Sequence, residues 1–124
     1  MKTHNPLVDK SYAFALRVVK LYRYLTEEVK EFVMSKQILR SGTSIGANVE
    51  EAVGGQSSKD FQHKISLAYK EARESHYWLR LLRDSHIVAE EKISSLIEDC
   101  EELLKISGSI LVSLKKNQAE DKNS

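Results

Sequence analysis

Two sets of residues in this chain of 124 amino acids have the types and spacing to do chemistry. The first is cationic. Arg73, His76, Arg80 and Arg83 follow one another at steps of three, four and three, and Lys10, Arg17, Lys20 and Tyr24 form a comparable edge. Cations along one helical face can track phosphates, each contact releasing about one counterion. A solvated helix face carries the same pattern, so Lys10, Arg17, Lys20, Arg73, Arg80 and Arg83 are candidates for RNA contact that the sequence alone does not separate from ordinary surface.

The second set is polar. Steps of four and three from Gln37 reach Ser41, Ser44, Asn48 and Glu51, beside a parallel stripe of Ile38, Ile45, Val49 and Ala52. On a structural reading these side chains form a buried or half-buried hydrogen-bond network that fixes helix register, because buried polar groups must find partners. Arg40 then pairs with a carboxylate on a later helix, Glu71 or Glu74. On a functional reading, Arg40, Asn48, Glu51 and Glu71 bind a ligand or form an enzyme site. No nucleophile with an adjacent base is visible, which favours the structural reading and a non-enzymatic protein. Gly42 and Gly46 lie in the same helix and cost about 1 kcal/mol each relative to alanine, so something must pack closely against them.

Other chemistries find little support. A di-iron bundle needs two Glu-x-x-His pairs facing the core, whereas only Asp60 and His63 show that spacing, in the first turn of a helix. Cys100 falls on an apolar seam, where a thiol behaves as a small hydrophobe. Gly54-Gly55-Gln56-Ser57-Ser58-Lys59 lacks the adjacent Gly-Lys and the preceding strand of a phosphate loop. It reads instead as a helix stop followed by a helix start. No cofactor or metal is expected.

Four helices must position these groups. The first runs from about Asp9, as N-cap, to Glu28, with Phe14, Val18, Leu21 and Leu25 as its seam. Residues 26 to 33 read as a helix end and connection. Ser35 is placed to cap the second helix, which ends at Gly54-Gly55. Ser57 or Ser58 caps the third, whose seam is Phe61, Ile65, Ala68, Ala72, Ser75, Leu79 and Leu82. The fourth follows a break at residues 84–89 and buries Ile93, Leu96, Cys100, Leu103, Ser107, Ile110 and Leu114. Such alternating steps predict an all-α protein, an antiparallel up-and-down four-helix bundle. Its bounds are residues 9–116, with a disordered or extended segment at 1–8 and a disordered tail at 117–124. Tyr77 and Trp78 lie off the third seam, and Leu67, Trp78 and Leu81 trace a second stripe. Two apolar edges on one helix imply an oligomer interface at Tyr77 and Trp78.

The run QILRSGTSIGANVEEA resembles the signature of the 23S rRNA intervening sequence proteins, in its Arg40-Ser41, Ser44-Ile45 and Asn48-Val49-Glu50-Glu51 elements. Lys59 to Leu82 is similar to that family's third helix. Ala52 departs from it, standing where the family usually has glycine. The resemblance implies a four-helix bundle assembled as a homopentamer. It also implies a link to RNA, since the family takes its name from genes inside rRNA insertions. A distant relative is an RNA-binding accessory variability protein of retroelements.

Composition sets the remaining bounds. A single domain suits the length, and 30% charged with 41% hydrophobic residues is ordinary for a helical protein. Net charge is +1, so there is no global electrostatic pull toward nucleic acid. Positive charge concentrates on the first and third helices and negative charge on the fourth. No apolar run approaches the roughly 20 residues of a membrane span, no signal peptide is visible, and one cysteine cannot form an internal disulfide; a cytoplasmic location is expected. The sequence therefore points to an oligomeric scaffold that binds RNA or a ribonucleoprotein partner. The alternative is a protein–protein adaptor without nucleic acid.

Overall fold

The computed structural model describes residues 5–123. Helix α1 spans Pro6–Tyr24, starting three residues before the expected Asp9. The cap is Asn5, whose Oδ1 accepts the N–H groups of Leu7 and Val8 at 3.0 and 3.3 Å. Proline at the next position suits a helix start, because its missing N–H would be unpaired there anyway. Residues 1–4 and 124 of the expected flexible ends lie outside the described residues.

The chain does not stop at Tyr24. It widens into a π turn, Leu25–Val29, that keeps Leu25 fully buried. Lys30 then adopts a left-handed conformation (φ 64°), and Glu31 N–H returns to the Leu25 carbonyl at 2.8 Å. Glu31 next performs the task expected of Ser35. Its carboxylate accepts the N–H groups of Val33, Met34 and Ser35 at 3.1, 3.1 and 2.8 Å, closing the open end of α2, Met34–Val53. Ser35 itself is buried and caps nothing.

Helix α2 ends at Gly54, and Ser57 caps α3, Ser58–Asp84, by accepting Asp60 N–H at 3.0 Å. His86 (φ 63°) turns the chain while the Ile87 and Val88 N–H groups close on the Leu82 carbonyl. Helix α4, Glu90–Asn123, continues through residues 117–123, where a disordered tail was expected from the polar composition. It follows the first turns of α3 there, with Gln118 hydrogen-bonded to Gln62.

Each helix packs against its chain neighbours, and α1 also meets α4, so the four form a closed antiparallel ring. Contacts are densest between α2 and α3 and sparsest between α1 and α4. Phe14, Leu25, Ile38, Ile45, Ile65, Leu79, Leu82, Ile93 and Leu103 fill the centre. Helices α1 and α2 approach at the two glycines. A Cβ on Gly42 would lie 2.8 Å from both γ-methyls of Val18, and one on Gly46 would lie 3.3 Å from the Ser11 carbonyl oxygen. Among the described residues, no helix is long and apolar enough to cross a membrane.

Candidate functional site

The polar side chains of α2 divide among separate partners. Arg40 binds Glu71 at 3.2 and 3.4 Å and also reaches Glu74, whose carboxylate in turn accepts the Trp78 indole N–H at 3.0 Å. The Arg40 bond first, and the Trp78 bond second, hold the Glu74 carboxyl below its usual range. Ser75 Oγ donates to Ser41 Oγ at 2.9 Å in the buried α2–α3 seam. Ser44 and Asn48 bond carbonyls of their own helix, at Arg40 and Ser44, as such residues do when an i−4 carbonyl is in reach. Glu51 pairs with Lys64 at 2.9 Å, and Gln37 is half-buried with no bond into this group. The structure thus brings Arg40, Glu71 and Glu74 together and leaves Gln37, Ser44, Asn48 and Glu51 apart from them. Arg40 and Glu51 stand about 16 Å apart along the helix, so the four residues of the enzyme reading do not converge.

Cys100 is sealed in the core. Its thiol donates to the Ala72 carbonyl at 3.3 Å, and burial, followed by Glu101 and Asp99, pushes its pKa up to about 12. A thiol in that state is not a nucleophile. Among the described residues, no group of three or more His, Cys, Asp or Glu side chains is arranged to hold a metal ion.

The six candidate cations separate sharply. On α1, Lys10 pairs with Glu102 at 3.2 Å, and Arg17 binds Asp99 at 2.5 Å and Ser95 at 2.7 Å. Those partners belong to the acidic face of α4. Lys20 borders a hollow of about 260 Å³ between α1 and α4, where the Lys92 ammonium lies 5.0 Å from the centre of the Tyr24 ring. On α3, Arg83 pairs with Asp84 at 2.8 Å. Arg73 and Arg80 remain, and they share a groove of about 780 Å³ with Tyr69, Lys70, Glu74, His76 and Tyr77 of α3 and Leu104 of α4. Arg73 makes no ion pair or hydrogen bond with the described residues, and Arg80 donates only to the His76 carbonyl, at 3.4 Å. His76 Nε2 meets Glu101 at 3.0 Å beside them.

Tyr69 and Lys70 were not among the expected site residues. The signal was present in the spacing: Tyr69, Arg73 and Tyr77 repeat every four residues, which places all three on one face. Tyr77 is 51% exposed and lies in this groove, its ring edge-on to Trp78 at 5.1 Å, while Trp78 is half-buried against the core. The sequence reading also missed Tyr12 and Leu16, each 58% exposed, which stand one turn apart on α1.

Fold and site together define a small all-α bundle protein with a cationic, aromatic groove along α3. The chain belongs to the 23S rRNA-intervening sequence protein family, whose sequence model matches residues 4–109. Among solved structures, a protein of unknown function from the S23 ribosomal protein family of Bacteroides thetaiotaomicron is similar at 51% identity and a TM-score of 0.83. The match covers 85% of this chain and 97% of that one. No curated protein matches.

Proposed function

We propose that this protein is a non-enzymatic scaffold that binds the RNA backbone through the α3–α4 groove and joins copies of itself. The observation that carries the first part is the contrast between cations. Lys10, Arg17 and Arg83 are ion-paired with carboxylates, whereas Arg73 and Arg80 make no ion pair with the described residues in the groove they share, although Glu74 also lines it and the Asp84 charge reaches Arg80. Two guanidiniums form a weak patch, but copies in a ring multiply it through effective concentration. The family's description names 23S rRNA through the location of its genes, which makes RNA the first ligand to test.

Self-association was expected at Tyr77 and Trp78, but Trp78 is half-buried against the core of its own subunit and Tyr77 lies in the α3–α4 groove; we assign it instead to Tyr12 and Leu16, whose exposure leaves an apolar edge on α1. The family resemblance supports a ring of five copies as the assembly to test. The test is RNA retention against salt, read beside the mass in solution. Binding should weaken steeply as salt rises, and replacing Arg73 and Arg80 together by alanine should lower the slope by about 1.4 for each subunit that engages the strand, at about 0.7 per lost contact. A flat salt response, or an unchanged slope in the double variant, removes the RNA reading. A lone 14.1 kDa subunit at high protein concentration removes the scaffold.

A further inference from the structure

We infer that the α3 groove selects single-stranded RNA, with Tyr69 and Tyr77 stacking on unpaired bases while Arg73 and Arg80 hold the phosphates between them. This rests on the RNA reading above and adds the feature recognised. Four residues on one helical face, Tyr69, Arg73, Tyr77 and Arg80, alternate ring and cation. At 1.5 Å rise per residue the backbone positions of the two tyrosines are about 12 Å apart along the helix and those of the two arginines about 10 Å apart. Bases in a duplex are hidden within the stack, and the deep, narrow major groove of RNA admits no side chain that could read them. Against a duplex this face therefore offers two phosphate contacts and leaves both rings idle. Against an unpaired strand, whose bases splay outward, rings and cations both engage.

The rings are held ready for this. Tyr69 lies against α4 at Gly108, so closely that a Cβ there would come within 3.2 Å of its Cε1. Glycine weakens a helix interior, and the seat for this ring gives its presence a reason. Tyr77 leans edge-on against Trp78, which Glu74 holds by its indole N–H, and Arg40 holds Glu74. The charged cluster of α2 and α3 is thus a brace for the second ring, and Arg40 and Glu74 are positioning residues. A ring fixed before binding loses less freedom when a base arrives.

The experiment measures fluorescence anisotropy of the full chain with a short labelled oligouridylate and with an RNA duplex of equal length, in one buffer. The single strand should bind at least about tenfold more tightly, and Tyr77→Ala or Tyr69→Ala should weaken it between about 5-fold and 100-fold with the duplex unchanged. Tyr77→Phe should retain affinity, because stacking needs the ring and not the hydroxyl. Gly108→Ala should weaken the single strand in the same direction as Tyr69→Ala. Arg73→Ala should weaken both RNAs. Unchanged helical melting in Tyr77→Ala, whose side chain is half in solvent, separates loss of stacking from loss of fold. Equal affinity for strand and duplex, with neutral tyrosine variants and a damaging Arg73→Ala, overturns this inference and leaves RNA binding in place. Absence of binding to either RNA overturns both.

Discussion

Replacing Gly42 with alanine should destabilise the protein, although alanine is the better helix former. The new Cβ would meet both γ-methyls of Val18 at 2.8 Å and its Cβ at 3.2 Å. Val18 cannot turn away. It is fully buried, and a valine fills two of three staggered positions, so every rotamer leaves at least one methyl facing Gly42. Helices α1 and α2 must then separate, and overpacking of this kind costs about 1 to 3 kcal/mol. Two methyls in conflict place it in the upper half of that range, against about 1 kcal/mol gained in helix propensity. The expected net loss is about 1 to 2 kcal/mol, or a fall of at least about 4 °C in Tm. Urea unfolding followed by circular dichroism at fixed protein concentration would measure it. Shaving the opposing residue as well, in Gly42→Ala with Val18→Ala, should give a loss smaller than the sum of the single losses by about 1 kcal/mol. Gly46→Ala, which meets the Ser11 carbonyl oxygen at 3.3 Å, should cost less. A Gly42→Ala protein as stable as the parent, or a strictly additive pair, would show that the closeness of α1 and α2 is not what requires glycine.

Glu31→Ala removes the three-bond cap of α2 and should cost about 1 kcal/mol in urea unfolding. Partial burial alone would push the Glu31 carboxyl up, but the Met34, Ser35 and Val33 N–H donors outweigh it and hold the group below its ordinary value near 4.5. Its contribution is therefore complete above that value and lost as pH falls through the lower folded one, and the variant should lack this component of acid unfolding. Cys100 should resist iodoacetamide in mildly alkaline buffer and react once urea unfolds the bundle; rapid alkylation of the native protein would contradict its sealed position. Ser41→Ala leaves the buried Ser75 hydroxyl without its acceptor and should cost about 1 to 2 kcal/mol, most of which Ser41→Ala with Ser75→Ala recovers. A double-variant loss equal to the sum of the two single losses would mean that the hydrogen bond contributes nothing.

The periodic parts of the fold were legible before the structure. Ile65, Ala68, Ala72, Ser75, Leu79 and Leu82 are all buried, and so are Ile93, Leu96, Cys100, Leu103 and Ser107, because a long seam repeats one message many times. Gly42 and Gly46 announced a close neighbour, and Val18 and Ser11 supply it. Local signals failed where two residues competed for one task. Asn5 with Pro6 outranks Asp9 as a helix start, and Glu31 reaches further than Ser35 to cap α2. The π turn has no marker in its residue types. The pairing of Arg40 with Glu71 and Glu74 was legible, but the partners of the polar stripe were not, since Ser44 and Asn48 find carbonyls in their own helix. The cationic edges were misleading for a tertiary reason: only the packing of α4 shows that Asp99 and Glu102 face Arg17 and Lys10.

The sparse contact between α1 and α4 has a mechanical consequence. Its ion pairs, Lys10 with Glu102 and Arg17 with Asp99, are each some two-fifths to one-half open to water. The range of such attractions shrinks from about 10 Å at 0.1 M salt to about 3 Å at 1 M. High salt should therefore remove at most about 1 kcal/mol per pair from the α1–α4 seam, while the buried apolar side chains of both helices keep the bundle closed. Helix α1 itself stays in place, because Phe14 and Val18 are buried and α2 holds it at Gly42 and Gly46; only the solvent-facing fringe of the α1–α4 seam loosens.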